Sequence, residues 1–193
     1  LSQDATVTKE INVVAKDIHM SKAVTLGLGG GGTEYTWTHH SHSLTQYYYW
    51  PDGLEARMDN LSGNGDTDWD YVVIAADPYI VSNMPGYFAL GVNKVASKVA
   101  EGDGQPLLIM MWPKNEGSEA TIDRFEEFTY RTADGAEVEL PVIPSGLAWD
   151  ALPEDKKVET FVHPSPNGAY LTAAAIYAHI YEQSASTSDY IYD

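Results

Sequence analysis

The order of apolar and polar residues along the chain predicts strands that alternate with helices. Three short runs are apolar almost throughout, as is typical of strands buried on both faces, and they lie at 69–76, 106–112 and 138–143. Apolar residues recur at helical spacing in four other segments, which predicts helices over 84–99, 122–131, 146–152 and 166–183. This alternation predicts a three-layer α/β/α sandwich with a mainly parallel, flavodoxin-like sheet.

The amino-terminal third carries weaker patterns. Val7, Ile11, Val14 and Ile18 recur at helical spacing, so we expect an amphipathic helix over 5–22. The alternating sequence AVTLGL at 23–28 predicts a short strand, and the four glycines that follow predict a sharp turn or a close backbone approach.

The length of 193 residues suits one buried core. We expect a single domain over 1–183, followed at 184–193 by a flexible Ser/Thr linker and a β-prone tail. Tyr190, Ile191 and Tyr192 of this tail are candidates for a strand that adds to another copy of the chain, so we expect a homo-oligomer.

Charge and composition narrow the function classes. The chain has 11 Lys and Arg against 28 Asp and Glu, a formal net charge of −17, which argues against binding to nucleic acid or anionic lipid. No apolar run approaches the ~20 residues of a membrane span, and the absence of cysteine excludes disulfides and thiolate metal sites. The opening LSQDATVTKE is no signal peptide and lacks an initiator Met, so we expect an amino terminus that is processed or trimmed, with an export signal removed from a secreted protein.

Three segments in fixed order carry a family resemblance. They read WDYVVI at 69–74, PLLIMMW at 106–112 with IPSGLAW at 143–149, and HPSPNGAYL at 163–171. Together they resemble the successive blocks of the SGNH (GDSL-like) hydrolase family. LSQDA at 1–5 is also similar to the residues after the nucleophile in a bacterial branch of that family, where GNSFSQDA is typical.

The resemblance implies acyl transfer by a serine that ends the first, central strand, with a His base, an orienting Asp and an oxyanion hole. By alignment the serine falls just before Leu1. The other matching positions are Gly31 and Gly32 for the oxyanion hole and His163 for the base. Thr160 stands where the orienting Asp is expected, and Asp77 follows the third strand where the family offers Asn.

These departures favour a degenerate domain without ester hydrolysis, acting as a secreted, self-assembling or binding subunit. The alternative is a carbohydrate or lipid ester hydrolase whose serine strand is not in this sequence. A third hypothesis is carbohydrate binding through the aromatic residues Trp37, Tyr48 and Trp50. We expect no cofactor and no metal, because the three histidines between 39 and 42 have no second ligand cluster.

Overall fold

The computed structural model describes residues 10–17, 20–27, 59, 61–62, 69–113, 121–157 and 166–185. Five strands lie in this part of the chain: β1 (Glu10–Asp17), β2 (Met20–Gly27), β3 (Tyr71–Ile74), β4 (Gln105–Ile109) and β5 (Val142–Ile143). Five α-helices accompany them: α1 (Pro78–Asn83), α2 (Pro85–Ala100), α3 (Ile122–Asp134), α4 (Ser145–Asp150) and α5 (Pro166–Tyr181). A short 3₁₀ helix spans Glu154–Lys156.

The strands form one sheet in the order β2-β1-β3-β4-β5. Strands β1, β3, β4 and β5 run parallel to one another, and only β2 runs antiparallel, against β1. Val73 at the centre is paired with Val13 on one side and with Leu107 on the other. The predicted fold class, a mainly parallel sheet between helices, is confirmed.

The helix expected over 5–22 is wrong. Residues 10–17 form strand β1, next to the central strand β3, and residues 20–27 form β2, which contains most of the strand predicted at 23–28. Ile11, Val13 and Val14 are β-branched, a residue type that favours extended backbone. The backbone N–H and C=O groups along the edge of β3 must be hydrogen-bonded. Pairing with β3 therefore decides the structure of residues 10–17, although their apolar residues recur at helical spacing.

The other predicted strands are present but shorter than their apolar runs. The run at 138–143 is a strand only at Val142–Ile143, because Pro141 has no backbone N–H to add to a ladder. The Pro141 carbonyl still accepts a hydrogen bond of 2.9 Å from the Leu108 amide, which starts the pairing of β5 with β4.

Neighbouring residues of β3 and β4 pack into different cores, as expected for strands covered on both faces. Val72, Ile74 and Leu108 lie in the larger core, beneath α2 and α3. Val73 and Leu107 lie in a smaller core on the opposite face, beneath α5, which contributes Ile180. These two cores are the inner boundaries of the three layers.

Helix ends follow from local sequence. Asp77 caps α1, since its side chain accepts a hydrogen bond from the Tyr79 amide, and Thr121 caps α3 through the Arg124 amide. Pro78 and Pro85 begin α1 and α2, where a missing N–H costs no hydrogen bond. Among the described residues, no helix combines the length and apolarity that crossing a membrane requires.

Candidate functional site

The carboxyl ends of β3, β4 and β5 lie at one edge of the sheet, where ligands bind in open α/β folds. Residues 75–77, 110–113 and 144–150 leave the sheet there, and the first two of the sequence blocks that carry the family resemblance run through this edge. We call this region the carboxyl edge. It is the candidate site of the fold.

Asp77 is the first polar side chain after β3. Its residue is only 8% exposed, and its Oδ1 atom accepts a hydrogen bond of 2.6 Å from the Tyr79 amide. The position is the one where the family resemblance places an amide donor. The side chain present there is a helix-capping carboxylate, which accepts hydrogen bonds in its ionised form and opposes a developing oxyanion.

Two tryptophans connect the segments that follow β4 and β5. Trp112 and Trp149 stack with ring centroids 5.8 Å apart and planes 10° from parallel, and both are buried. The Gly146 amide donates a hydrogen bond of 2.8 Å to the Met110 carbonyl. A Cβ on Gly146 would lie 2.4 Å from the Met111 carbonyl oxygen, so this contact requires glycine. The segment IPSGLAW thus locks α4 against β4.

Lys157 covers the outer face of this pair. Its Nζ atom lies 5.1 Å from the Trp149 ring centroid and forms ion pairs with Glu154 at 2.9 Å and Asp150 at 3.7 Å. The hydrogen bond that Lys157 donates to Glu154, together with the charges of Glu154 and Asp150, raises the pKa of Lys157 despite the opposing effect of desolvation. These ion pairs connect the 3₁₀ helix to α4.

Two hydrogen-bond donors at this edge are buried without a partner in the part of the chain that the structure describes. They are the Ser145 hydroxyl and the Trp149 indole N–H. The two residues lie one turn apart on α4, and hence on the same side of it. An unpaired buried donor typically costs about 1–3 kcal/mol.

Sequence reasoning did not identify the side-chain roles of Ser145, Trp149 and Lys157. A Trp four residues after a Ser does not indicate a pair of buried donors until the helix and its burial are known. The acidic residues seven and three positions before Lys157 are a weak pattern that surface residues share.

The predicted site residues lie outside the described residues. This applies to the oxyanion and base candidates, to the aromatic patch and to the assembly strand: Gly31, Gly32, His163, Trp37, Tyr48, Trp50, Tyr190, Ile191 and Tyr192. Their predictions stay predictions. Within the described ranges, no group of three or more His, Asp or Glu side chains is placed to hold a metal ion.

The strand beside β3 differs from the serine-bearing strand that the resemblance implies. The strand beside β3 is β1, with the sequence EINVVAKD, and Asp17 at its carboxyl end is paired with Met20 of β2. Two residues connect these strands, Ile18 and His19. The described strand therefore contains no serine and continues directly into an antiparallel neighbour.

Comparison with known proteins identifies the fold. No protein-family model matches the chain, and no curated protein matches its sequence. A solved structure assigned as an SGNH hydrolase from Slackia heliotrinireducens is similar with a TM-score of 0.61 and 19% identity, over 72% of this chain and 79% of that one. A mutant acetyl-xylooligosaccharide esterase from Geobacillus is similar with a TM-score of 0.51 and 14% identity, over 100% of both chains.

These likenesses, at low identity, establish the class of fold: the chain has the α/β/α architecture of the SGNH (GDSL-like) hydrolases. The order of the parallel strands and the blocks at 69–74, 106–112 and 143–149 agree with that class.

Proposed function

We propose that this chain is an SGNH-fold domain in which ester hydrolysis has been lost and the fold serves binding and assembly outside the cell. The observation that carries the proposal is the strand beside β3. The resemblance implies a strand that ends in a serine within the sheet, and the strand beside β3 is instead β1, which ends at Asp17 and is followed after two residues by β2. Without a nucleophile at that point, acyl transfer has no first step.

Asp77 supports the same proposal. Removing one oxyanion-hole donor from a hydrolase typically costs about 10²–10³ in rate. At this position a buried carboxylate replaces the expected amide, and its oxygen is already bonded to the Tyr79 amide. A carboxylate held there favours the capped helix and disfavours negative charge on a substrate.

Sequence adds a third departure, at Thr160. A threonine cannot orient and stabilise a protonated histidine as a carboxylate does, and loss of this carboxylate costs about 10⁴ in turnover in serine hydrolases. Three departures from the catalytic residues of one active site are more consistent with the loss of ester hydrolysis than with a change of substrate.

A second candidate function is an ester hydrolase acting on an acetylated carbohydrate or a lipid. The histidine block HPSPNGAYL matches the family pattern, and the Geobacillus neighbour is an esterase of acetylated xylo-oligosaccharides.

Labelling with a fluorophosphonate probe separates the two functions. Such probes react with activated serine hydroxyls, so we expect no labelling of the 193-residue chain above a heat-denatured sample, and no hydrolysis of p-nitrophenyl acetate that His163→Ala abolishes. Ser2→Ala and Ser145→Ala serve as controls for adventitious reaction at those hydroxyls. Labelling that requires His163 would overturn the proposal and establish the esterase.

Binding is tested separately from hydrolysis. If the aromatic patch binds carbohydrate, xylo-oligosaccharide titrations followed by tryptophan fluorescence should saturate, and Trp37→Ala or Trp50→Ala should weaken the affinity at least about tenfold. Tyr79→Ala is the matched control, because Tyr79 is 52% exposed on α1, outside the patch. Unchanged affinity in both tryptophan variants would remove carbohydrate binding from the proposal.

A further inference from the structure

Helix α5 is unusual for a surface helix of this protein. Its sixteen residues, PNGAYLTAAAIYAHIY, contain no Asp, Glu, Lys or Arg, in a chain where 20% of residues are charged. Helix α3, which also lies at the surface, has six charged residues among thirteen. Only Gly168 and Ile180 of α5 are buried. A helix that is apolar around its circumference normally has more of its surface covered.

The exposed part of α5 contains a continuous ridge of residues four positions apart. Its members are Ala169, Ala173, Tyr177 and Tyr181, which we call the Ala–Tyr ridge. The first three are exposed and Tyr181 is half-buried. The rings of Tyr177 and Tyr181 lie 4.7 Å apart, and the Tyr177 hydroxyl is 3.3 Å from the Gln183 side-chain oxygen. The tyrosine end of the ridge is therefore held in place.

The ridge is complementary to itself in one orientation. Its amino-terminal half is made of small side chains and its carboxyl-terminal half of large ones. If two copies of α5 cross in antiparallel fashion about the middle of the ridge, Tyr177 of one copy meets Ala173 of the other, and Tyr181 meets Ala169. Rows of residues four apart are the ridges that interdigitate in the commonest class of helix packing.

The net negative charge of the chain also favours this surface as the contact between two copies. Two copies that each have a formal net charge of −17 repel one another, so a contact between them is most favourable where neither contributes a carboxylate. Interface cores are depleted in charged residues and enriched in aromatic ones, which matches the composition of α5.

We infer that the Ala–Tyr ridge is a homodimer interface in which two α5 helices pair antiparallel, with tyrosines of each copy on the alanines of the other. A two-fold contact of this kind is closed, since the same residues serve both copies. A helix of sixteen residues is only about 24 Å long, so the contact is smaller than a standard interface and the dimer is weak.

Sedimentation equilibrium of the full chain, at protein concentrations up to about 1 mM, tests the dimer. We expect a dimer to be the first species that forms as the protein concentration rises, with an association that strengthens between about 50 mM and 500 mM NaCl, because salt screens the repulsion between the acidic copies. An interface built on ion pairs would respond in the opposite sense. A chain that stays monomeric over the whole range, or a dimer that weakens with salt, would overturn the inference.

Paired substitutions test the orientation. Ala173→Glu and Tyr177→Lys should each weaken self-association by about tenfold or more, because each buries an unpaired charge at the contact. An equimolar mixture of the two variants should form a heterodimer, in which Glu at 173 meets Lys at 177 and the second contact keeps its native residues. His179→Glu, which adds the same charge on another side of the exposed helix, is the matched control and should still dimerise.

Circular dichroism of each variant establishes that α5 remains folded, since both Glu and Lys are good helix formers. If folded Ala173→Glu dimerises as well as the wild type, or if the mixture of folded variants fails to associate, the antiparallel α5 interface is wrong.

Discussion

Gly146 connects the two strand exits of the carboxyl edge through a backbone contact that no side chain can enter. We expect Gly146→Ala to lower the free energy of unfolding by about 1–3 kcal/mol, because its Cβ would lie 2.4 Å from the Met111 carbonyl oxygen and backbone would have to move. Urea denaturation measures the loss.

Gly86→Ala is the matched control for this substitution. Gly86 lies in the first turn of α2, and a Cβ there meets no atom within 4 Å. The change should leave stability unchanged or raise it by up to about 1 kcal/mol, since alanine is the better helix former. Equal effects of the two substitutions would contradict the packing described for Gly146.

Lys157 makes the stability of the folded state depend on pH in the alkaline range. Its pKa is raised by Glu154 and Asp150, so the folded state holds the proton more tightly than the unfolded chain does, whose pKa is 10.5. The resulting stabilisation is present in full below pH 10.5 and is lost as the pH rises through the folded pKa. Lys157→Met should therefore be less stable than the wild type at pH 8, and the difference should shrink above pH 10.5.

Thermal unfolding between pH 8 and pH 12 measures this difference, with Lys157→Arg as the control. Arginine keeps its charge over this range, so that variant should not show the alkaline loss attributed to Lys157. Parallel pH profiles for the wild type and Lys157→Met would show that the ion pairs with Glu154 and Asp150 contribute nothing.

At the scale of elements, the sequence predicted four of the described helices and the buried strands from Trp69 onward, because their periodicities are unambiguous, whereas the short helix α1 was not predicted. It could not predict that Pro141 shortens β5, or that 10–17 is a strand, since both depend on which backbone groups a neighbour offers. The candidate site was less predictable than the fold. Asp77 was recognised from its position after a strand, whereas the stacking of Trp112 and Trp149 depends on two exits meeting in space.

The register of β1 and β2 can be tested with engineered cysteines, because the chain contains none of its own. Val13 and Val24 are directly paired across the two strands. Paired residues of antiparallel strands have Cα atoms about 4.5–5.5 Å apart, which is within disulfide range. Val13→Cys with Val24→Cys should therefore form an intramolecular disulfide on mild oxidation, seen as a mass loss of about two hydrogens by intact mass spectrometry.

Asn12→Cys with Val24→Cys is the control, since a shift of one residue places the two side chains on opposite faces of the sheet. If both pairs form the disulfide equally, or if neither does, the strand pairing is not the one described. A helix over 5–22 would place residue 13 without any fixed partner at residue 24.

At the scale of the whole molecule, the sheet has a long outer strand at one side. In the described sheet β2 is terminal and eight residues long, whereas β5 at the other side has two. An exposed strand edge is a template for pairing with another chain. We therefore propose β2 of another copy as the acceptor for the assembly strand of Tyr190, Ile191 and Tyr192.

We expect the full chain at high concentration to form species larger than a dimer, and a chain ending at residue 185 to stop at the dimer. The reason is that addition of a tail to another copy does not close on itself, whereas two-fold pairing of α5 does. Light scattering coupled to size-exclusion chromatography measures both masses. Identical masses for the two chains would remove the tail from the assembly.

The two cores flanking the sheet differ in size, and this has a consequence for the order in which the molecule opens. Among the described residues, sixteen buried side chains form the core beneath α2 and α3, whereas six form the core beneath α5. Apolar area removed from water is the main source of cohesion between layers. In this part of the chain the layer formed by α5 is therefore attached through the smaller core, and we expect its detachment to be the easier local opening. A second copy bound to that helix would oppose its detachment, so that dimerisation would also raise the free energy of this local opening.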